Sequence, residues 1–234
     1  MLPALTLLGL VTVARVRIWR IAPDSRRLTQ GMAAIALSTL IFWPRIGERL
    51  IDPRTTLLGA NFGDLAQHLL TITGCYHFGY IALENLGRAS GGCWRILMTI
   101  VALALALTYR FSAEWRTPGE EFTQFGLASV LHNSILVGAM TVSFVLVAAS
   151  VVLGRDDDAE PAVDWSFWGI FYMGVLGAAC NVSVAAMMVA APEFVRDNYS
   201  AIAEAFAFPA LLALAWAGYP GLADAWRKRH DPRP

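Results

Sequence analysis

Charge is scarce in this chain: only 15% of its 234 residues are Asp, Glu, Lys or Arg, against about 25% in a soluble domain. The 18 basic and 18 acidic residues balance to zero, so no surplus of positive charge marks a nucleic-acid footprint. Lysine is almost missing. Lys228 stands alone near the end, and without a lysine in an apolar segment no retinal can be held as a Schiff base. Cysteine is rare as well. Cys75, Cys93 and Cys180 fall in or beside apolar segments, and their spacing fits neither a disulfide framework nor a zinc motif. They read as small buried hydrophobes. Four histidines are too few for a cytochrome holding several haems, although His68 and His132 would meet the minimum for one pair of axial ligands. There is no His-x-x-x-His, no His-Glu-x-x-His, no phosphate-cradling glycine loop and no nucleophile elbow. No complete catalytic set, metal site or resident cofactor is expected.

What fills the sequence instead is hydrocarbon. Hydrophobic residues make up 56% of it, with mean hydropathy +0.52. Seven long apolar stretches predict helices over 1–19, 28–46, 56–84, 92–110, 122–153, 165–191 and 198–223. A bilayer's apolar core, about 30 Å thick, takes about 20 such residues per helix. The fold class is therefore all-α, a polytopic membrane bundle of about seven spans. The firmest are the fifth and sixth, since 122–154 and 165–192 hold no Asp, Glu, Lys or Arg. The opening 1–14 looks superficially like a signal peptide, but its arginines follow rather than precede it and no small-x-small cleavage site comes after. It reads as a first helix retained in the membrane. Arg15, Arg17 and Arg95 are expected to snorkel to the interface.

Loop cations orient the bundle. Twelve Lys and Arg fall on the side of the 20–27 loop and the tail, and six on the other. The richer side is expected to be cytoplasmic, which puts the N-terminus outside and the tail inside. Trp19, Trp43, Trp94, Trp165 and Trp226 lie near the expected interfaces, where amphipathic rings settle. Asp156, Asp157 and Asp158 read as a solvated inner loop. The domain division is one transmembrane unit over 1–226 and a short basic tail over 227–234.

Ionisable groups inside a span are expensive and so become functional candidates. The third helix aligns Asn61, Asp64, His68, Thr71 and Cys75 within about a third of its circumference, at 100° per residue. Asp64 and His68 are one turn apart and within mutual reach. Gly59 and Gly63 form a GxxxG suited to close helix approach. The fifth helix offers Ser129, His132 and Asn133, the sixth Asn181 with a Gly174/Ala178 packing pair, and the seventh Glu204 ahead of Pro209. With the orientation above and 1.5 Å per residue, Asp64, His132, Asn181 and Glu204 fall in the outer half of the bilayer and His68 near its middle. The expectation is an outward polar cavity lined by Asn61, Asp64, His68, His132, Asn133, Asn181 and Glu204. The competing reading is a set of separate hydrogen bonds that lock helices together. His77, Tyr80 and Glu84 form a further polar edge at the inner end of the third helix.

Asp52-Pro53, Leu58-Gly59-Ala60-Asn61 and Asp64-Leu65-Ala66-Gln67-His68-Leu69-Leu70, with the Gly/Ala-rich sixth helix and the ending Ala217-Gly218-Tyr219-Pro220, resemble an uncharacterised actinobacterial family of seven-helix membrane proteins. Its members are often encoded near helix-turn-helix regulators, small metallopeptidases or prophage genes. Many continue into a longer cytoplasmic region, which this chain does not carry. The resemblance implies a fold and a plasma-membrane setting rather than a chemistry.

Two functions follow as expectations. The first is a non-enzymatic sensor or accessory component, with the lipid bilayer and a membrane or cytoplasmic protein as partners and no nucleic acid. The second is a small-solute or proton-coupled transporter using Asp64 or Glu204 as proton carrier, weakened by the lack of an internal repeat. An intramembrane metal-dependent hydrolase is the remote third.

Overall fold

A computed structural model describes residues 1–19, 26–42, 56–57, 60–87, 91–111, 127–154 and 161–230. The fold is all-α. Among the described residues seven helices follow one another: α1 (Leu2–Arg17), α2 (Arg26–Phe42), α3 (Phe62–Asn85), α4 (Gly91–Phe111), α5 (Leu127–Leu153), α6 (Pro161–Ala190) and α7 (Pro192–His230). A two-residue antiparallel pair, β1 (Thr56–Leu57) with β2 (Ala60–Asn61), precedes α3. The third helix was expected from residue 56 and begins instead at Phe62, so Asn61 sits in β2 rather than on the helical stripe.

Local chemistry explains several ends. Pro161 and Pro192 open α6 and α7, where a missing N–H is no loss because the first helical amides lack partners anyway. Asp164 lies in the first turn of α6, favourable against the positive end of the helix dipole. Gly87 follows α3 with φ +65°, a left-handed conformation that glycine adopts without a Cβ penalty. α7 carries Pro209 and Pro220 in its interior and still runs 39 residues, past the expected end.

Contact pairs set the directions. Ile35 approaches Gly74 and Gly31 approaches Phe78, so α2 and α3 are antiparallel. Asn85 Nδ2 donates to Ser150 O at 2.8 Å near one end of α3 and α5, and His68 meets His132 near the other, so these two are parallel. Gly169 lies against Ala213 and Ala217, which makes α6 and α7 an antiparallel hairpin turning at Ala191. Neighbours in space are α1–α2, α2–α3, α3–α5, α5–α6, α6–α7 and α7–α1. Six helices thus close a ring, and α4 packs outside it against α3 and α5.

Close approach depends on small residues. A Cβ on Gly169 would stand 2.6 Å from the Ala217 backbone nitrogen, and one on Gly174 would stand 2.8 Å from Phe144 O. Gly174 was expected to pack a helix, and it does so against α5. Of the Gly59/Gly63 pair, Gly63 is buried and Gly59 lies outside the described residues, as do Asp52, Pro53 and the run Asp156 to Asp158.

Burial is uneven along the ring. Leu8, Met32, Phe78, Val147, Leu214 and Ala217 fill one end. There Arg15, 2% exposed, donates from Nε to Thr29 Oγ1 at 3.1 Å and from a terminal nitrogen to Gly218 O at 2.6 Å. Arg17 and Arg95 are exposed, as snorkelling requires, but Arg15 is not. It turns inward because acceptors on α2 and α7 satisfy its donors, and so ties three helices together.

Among the described residues four helices are long and apolar enough to cross a membrane: Gly91–Phe111, Val130–Leu153, Asp164–Met187 and Ala201–Asp224. Seven were expected. α1 and α2 have 16 and 17 residues, about 24 and 26 Å at 1.5 Å per residue, short of the apolar core. α3 is long enough at 24 residues, but its polar groups keep it out of the apolar class.

Candidate functional site

The polar residues divide between two places. The first is a junction where α4 lies across α3 and α5. His132 is fully buried, 0% exposed. Its Nδ1 is 3.2 Å from Leu105 O and 3.0 Å from Thr108 Oγ1. The Thr108 hydroxyl donates back to Ala104 O at 2.8 Å, so both neighbours of Nδ1 act as acceptors and Nδ1 carries the proton. A neutral imidazole then presents a lone pair on Nε2. His68 Nδ1, 3.0 Å away, must donate to it. The tautomers of both rings are fixed by one backbone carbonyl.

Tyr109 completes the junction. It is fully buried, lies edge-on to His68 at 6.1 Å between ring centres, and donates its hydroxyl to Asp64 Oδ2 at 3.4 Å. The carboxylate and imidazole expected to pair along α3 are therefore met from other helices, Asp64 by Tyr109 and His68 by His132. His68 Nδ1 and His132 Nε2 face each other directly, 3.0 Å apart in hydrogen-bond contact. Among the described residues no three His, Cys, Asp or Glu side chains gather as a metal-ligand group.

The second place is a cavity of about 230 Å³ inside the ring, at the end away from Arg15. α2 contributes Ser38 and Thr39, α3 Gln67 and Thr71, α5 Met140 and Phe144, α6 Cys180 and Asn181, and α7 Ala203, Phe206, Ala207 and Ala210. α4 contributes nothing. Most of the wall hydroxyls are engaged with the wall itself: Ser38 and Thr71 are 2.7 Å apart, and Thr39 donates to Ile35 O at 2.8 Å. Asn181 also reaches this wall. It is 9% exposed, and its Nδ2 has no hydrogen-bond partner.

No family model, curated protein or solved structure matches the chain. The site is therefore read from its own geometry.

The single polar pocket expected from sequence is not what the helices build. Asp64, His68 and His132 converge at the junction, and Asn181 lies on the cavity. Asn133 is half-buried on α5 and is not among the residues that line the cavity. The Asn61 side chain lies outside the described residues. Glu204 is exposed. The cavity-facing stripe of α7 runs through Ala203, Phe206, Ala207, Ala210, Leu211 and Leu214, and Glu204 falls just beyond its edge. Cys75 is buried and Cys180 half-buried, but Cys93 is exposed, against the reading of all three as buried.

Tyr109 and Thr108 were missed because they fall at the expected end of a helix, where tyrosine reads as an interfacial anchor. A polar pair closing an otherwise Leu/Ala-rich helix was the available signal. The inner edge of α3 is engaged: the Arg27 guanidinium sits 3.4 Å above the Tyr80 ring, a cation–π contact, and 3.9 Å from Glu84.

Proposed function

We propose that this chain is a multi-pass protein of the plasma membrane that spans it seven times, N-terminus outside, and acts as a non-enzymatic sensor or accessory component. The observation that carries the reading is the partly open cavity that the ring helices wall. Helices α2, α3, α5, α6 and α7 all contribute to its wall, so an occupant would be felt by five helices at once. Such a ligand shifts an equilibrium only by its differential affinity for two arrangements of the bundle, and a shared wall supplies that differential. Alternating helix directions and the excess of Arg and Lys on one side support the span count and orientation. The short α1 and α2 would then span by thinning the bilayer locally or by using flanking residues, each at modest cost. In this orientation the hollow end of the ring is the outer end. The likeness to the actinobacterial seven-helix family supports the same setting.

A proton-coupled transporter is the weaker alternative. It would want its proton carrier beside its solute, and Asp64 is not on the cavity wall. The test is made on the full chain reconstituted in vesicles. A sensor, on hitting a ligand in a small-molecule screen, slows amide exchange in α6 and α7 and passes no solute or proton. Flux driven by a pH or solute gradient overturns the reading in favour of transport.

A further inference from the structure

The geometry points to a second site: we propose that the aromatic groove between α6 and α7 binds a single-chain amphiphile with a quaternary ammonium head. The trimethylammonium group sits against Trp165 and Trp216, and the alkyl chain runs toward Tyr172. The inference rests on the reading above only in placing the bundle in a bilayer. It needs neither the ring cavity nor a sensor role.

The groove is a notch between two helices. Trp165, Trp168, Gly169 and Tyr172 of α6, with Ala213 and Trp216 of α7, line about 430 Å³ of open space. Gly169 packs against the backbone of Ala213 and Ala217, so small residues make the floor and aromatic rings the walls. Ala217 precedes Gly218, whose carbonyl accepts from Arg15. The groove therefore lies at the Arg15 end of the bundle, away from the ring cavity. Trp165, Tyr172 and Trp216 are each more than half exposed. Asp164, the first residue of the apolar run of α6, stands next to Trp165 at the mouth. Tyr172 lies seven residues further along, about 10 Å deeper at 1.5 Å per residue. Interfacial anchoring accounts for a tryptophan at such a boundary. It does not account for three indoles and a phenol gathered over a floor of Gly169 and Ala213.

The ring geometry selects a cation. Trp165 and Trp216 are 5.8 Å apart between ring centres with their planes at 73°, which makes a corner of aromatic surface. Trp168 and Tyr172, 6.1 Å apart with planes at 33°, continue the α6 wall. Ring faces attract a cation within about 6 Å, and a quaternary ammonium is the ion best matched to several of them. None of the six lining residues is Lys, Arg or His, so an anion would find no counter-charge. A choline phospholipid would bring its phosphate, a few bonds from the ammonium, to that same wall, whereas a single-chain amphiphile brings only the cation and a tail. The indole N–H groups of Trp165 and Trp216 and the Tyr172 hydroxyl are the remaining polar features. They suit a neutral oxygen, which makes an alkanol the competing occupant.

Three probes share one chain: octyltrimethylammonium, octylammonium and octanol. Each is titrated against the full chain in nanodiscs of phosphatidylethanolamine and phosphatidylglycerol. Saturation-transfer NMR reads binding, with empty nanodiscs subtracted for partition into lipid. The trimethylammonium probe is expected to bind about tenfold more tightly than the other two, because a primary ammonium holds its water and an alcohol has no charge. Trp165→Leu/Trp216→Leu should erase that preference with the melting temperature unchanged, since both rings are largely exposed. Tyr172→Phe keeps its ring and should leave the preference intact. Equal affinities in the wild type, or a preference for octanol, overturn the cationic assignment, and this comparison needs no variant to fold. A preference that survives loss of both tryptophans overturns the location, and one abolished by Tyr172→Phe overturns recognition by ring faces. Failure of all three probes to bind overturns the groove as a site. Weaker binding of octyltrimethylammonium when phosphatidylcholine replaces phosphatidylethanolamine assigns the groove to a lipid headgroup and overturns the single-chain occupant. Flux in vesicles bears on the sensor reading alone and leaves these outcomes untouched.

Discussion

Consecutive residues of α3, Gln67 and His68, serve two regions that handle polarity in opposite ways. On the α4 side, His68, His132 and Thr108 are bonded to one another and to helix carbonyls, and Tyr109 is bonded to Asp64. Inside the ring, most hydroxyls are bonded to the wall but Asn181 Nδ2 has no partner. The contrast separates two reasons for keeping polar groups where water is excluded. A closed network locks helices and is complete without a visitor. A buried amide nitrogen without a partner is a cost. Polar groups therefore stabilise one place and burden the other.

The largest expected effect tests the closed side. His132→Phe deletes the acceptor for His68 Nδ1 and removes one of the donors to Leu105 O, and should lower stability by about 2 kcal/mol. Unfolding by denaturing detergent in mixed micelles measures it. The double substitution His68→Phe/His132→Phe should recover much of the loss, because removing both partners leaves fewer orphans than removing one. If His132→Phe is neutral, the junction is no more committed than the cavity and the contrast collapses.

The second test asks for the opposite sign. Asn181→Leu replaces an unpaired buried amide with a side chain of similar size and should raise stability by about 1 kcal/mol in the absence of ligand, in the same unfolding measurement. Loss of stability instead would mean that the amide already has a partner, and that the cavity is a second locked junction.

These signs show where sequence reading stops. The uncharged runs in α5 and α6 were legible as long apolar helices, because hydropathy reports directly on transfer from water. The helical period correctly put Asp64 and His68 on one face of α3. It could not supply Tyr109 as the partner of Asp64, since contacts between helices depend on rotation and tilt that composition does not encode. The start of α3 was missed because Leu57, Leu58 and Ala60 are apolar enough to prolong a helical pattern, whereas the chain pairs Thr56–Leu57 with Ala60–Asn61. Arg15 was placed at the interface because charge is costly in hydrocarbon. Its acceptors, Thr29 and the Gly218 carbonyl, become visible only when α2 and α7 are brought beside it.

A smaller effect probes the edge of the closed network. Tyr109→Phe keeps the ring packed between His68 and His132 and removes the hydroxyl that reaches Asp64 at 3.4 Å. A bond that long is near the limit of useful geometry, so the loss should be about 0.6 kcal/mol, the average for hydrogen bonds between membrane helices. A double cycle with Asp64→Asn isolates the pair. Coupling much above that value would make the carboxylate, rather than the two histidines, the centre of the junction.

The smallest effect belongs to Glu204, and its smallness is the point. A carboxylate within an apolar helix invites the inference that it faces a protected interior. In α7 the interior stripe is instead made of Ala203, Phe206, Ala207 and Ala210, with Glu204 exposed beside it. Small side chains mark the inner face here because they leave the hollow, and the acid marks the outer one. Glu204→Gln should therefore change stability by less than about 0.5 kcal/mol, in the same unfolding measurement. A loss of about 2 kcal/mol would mean that the carboxylate has buried partners, and would undo the distinction between an exposed acid and a hollow lined by small side chains.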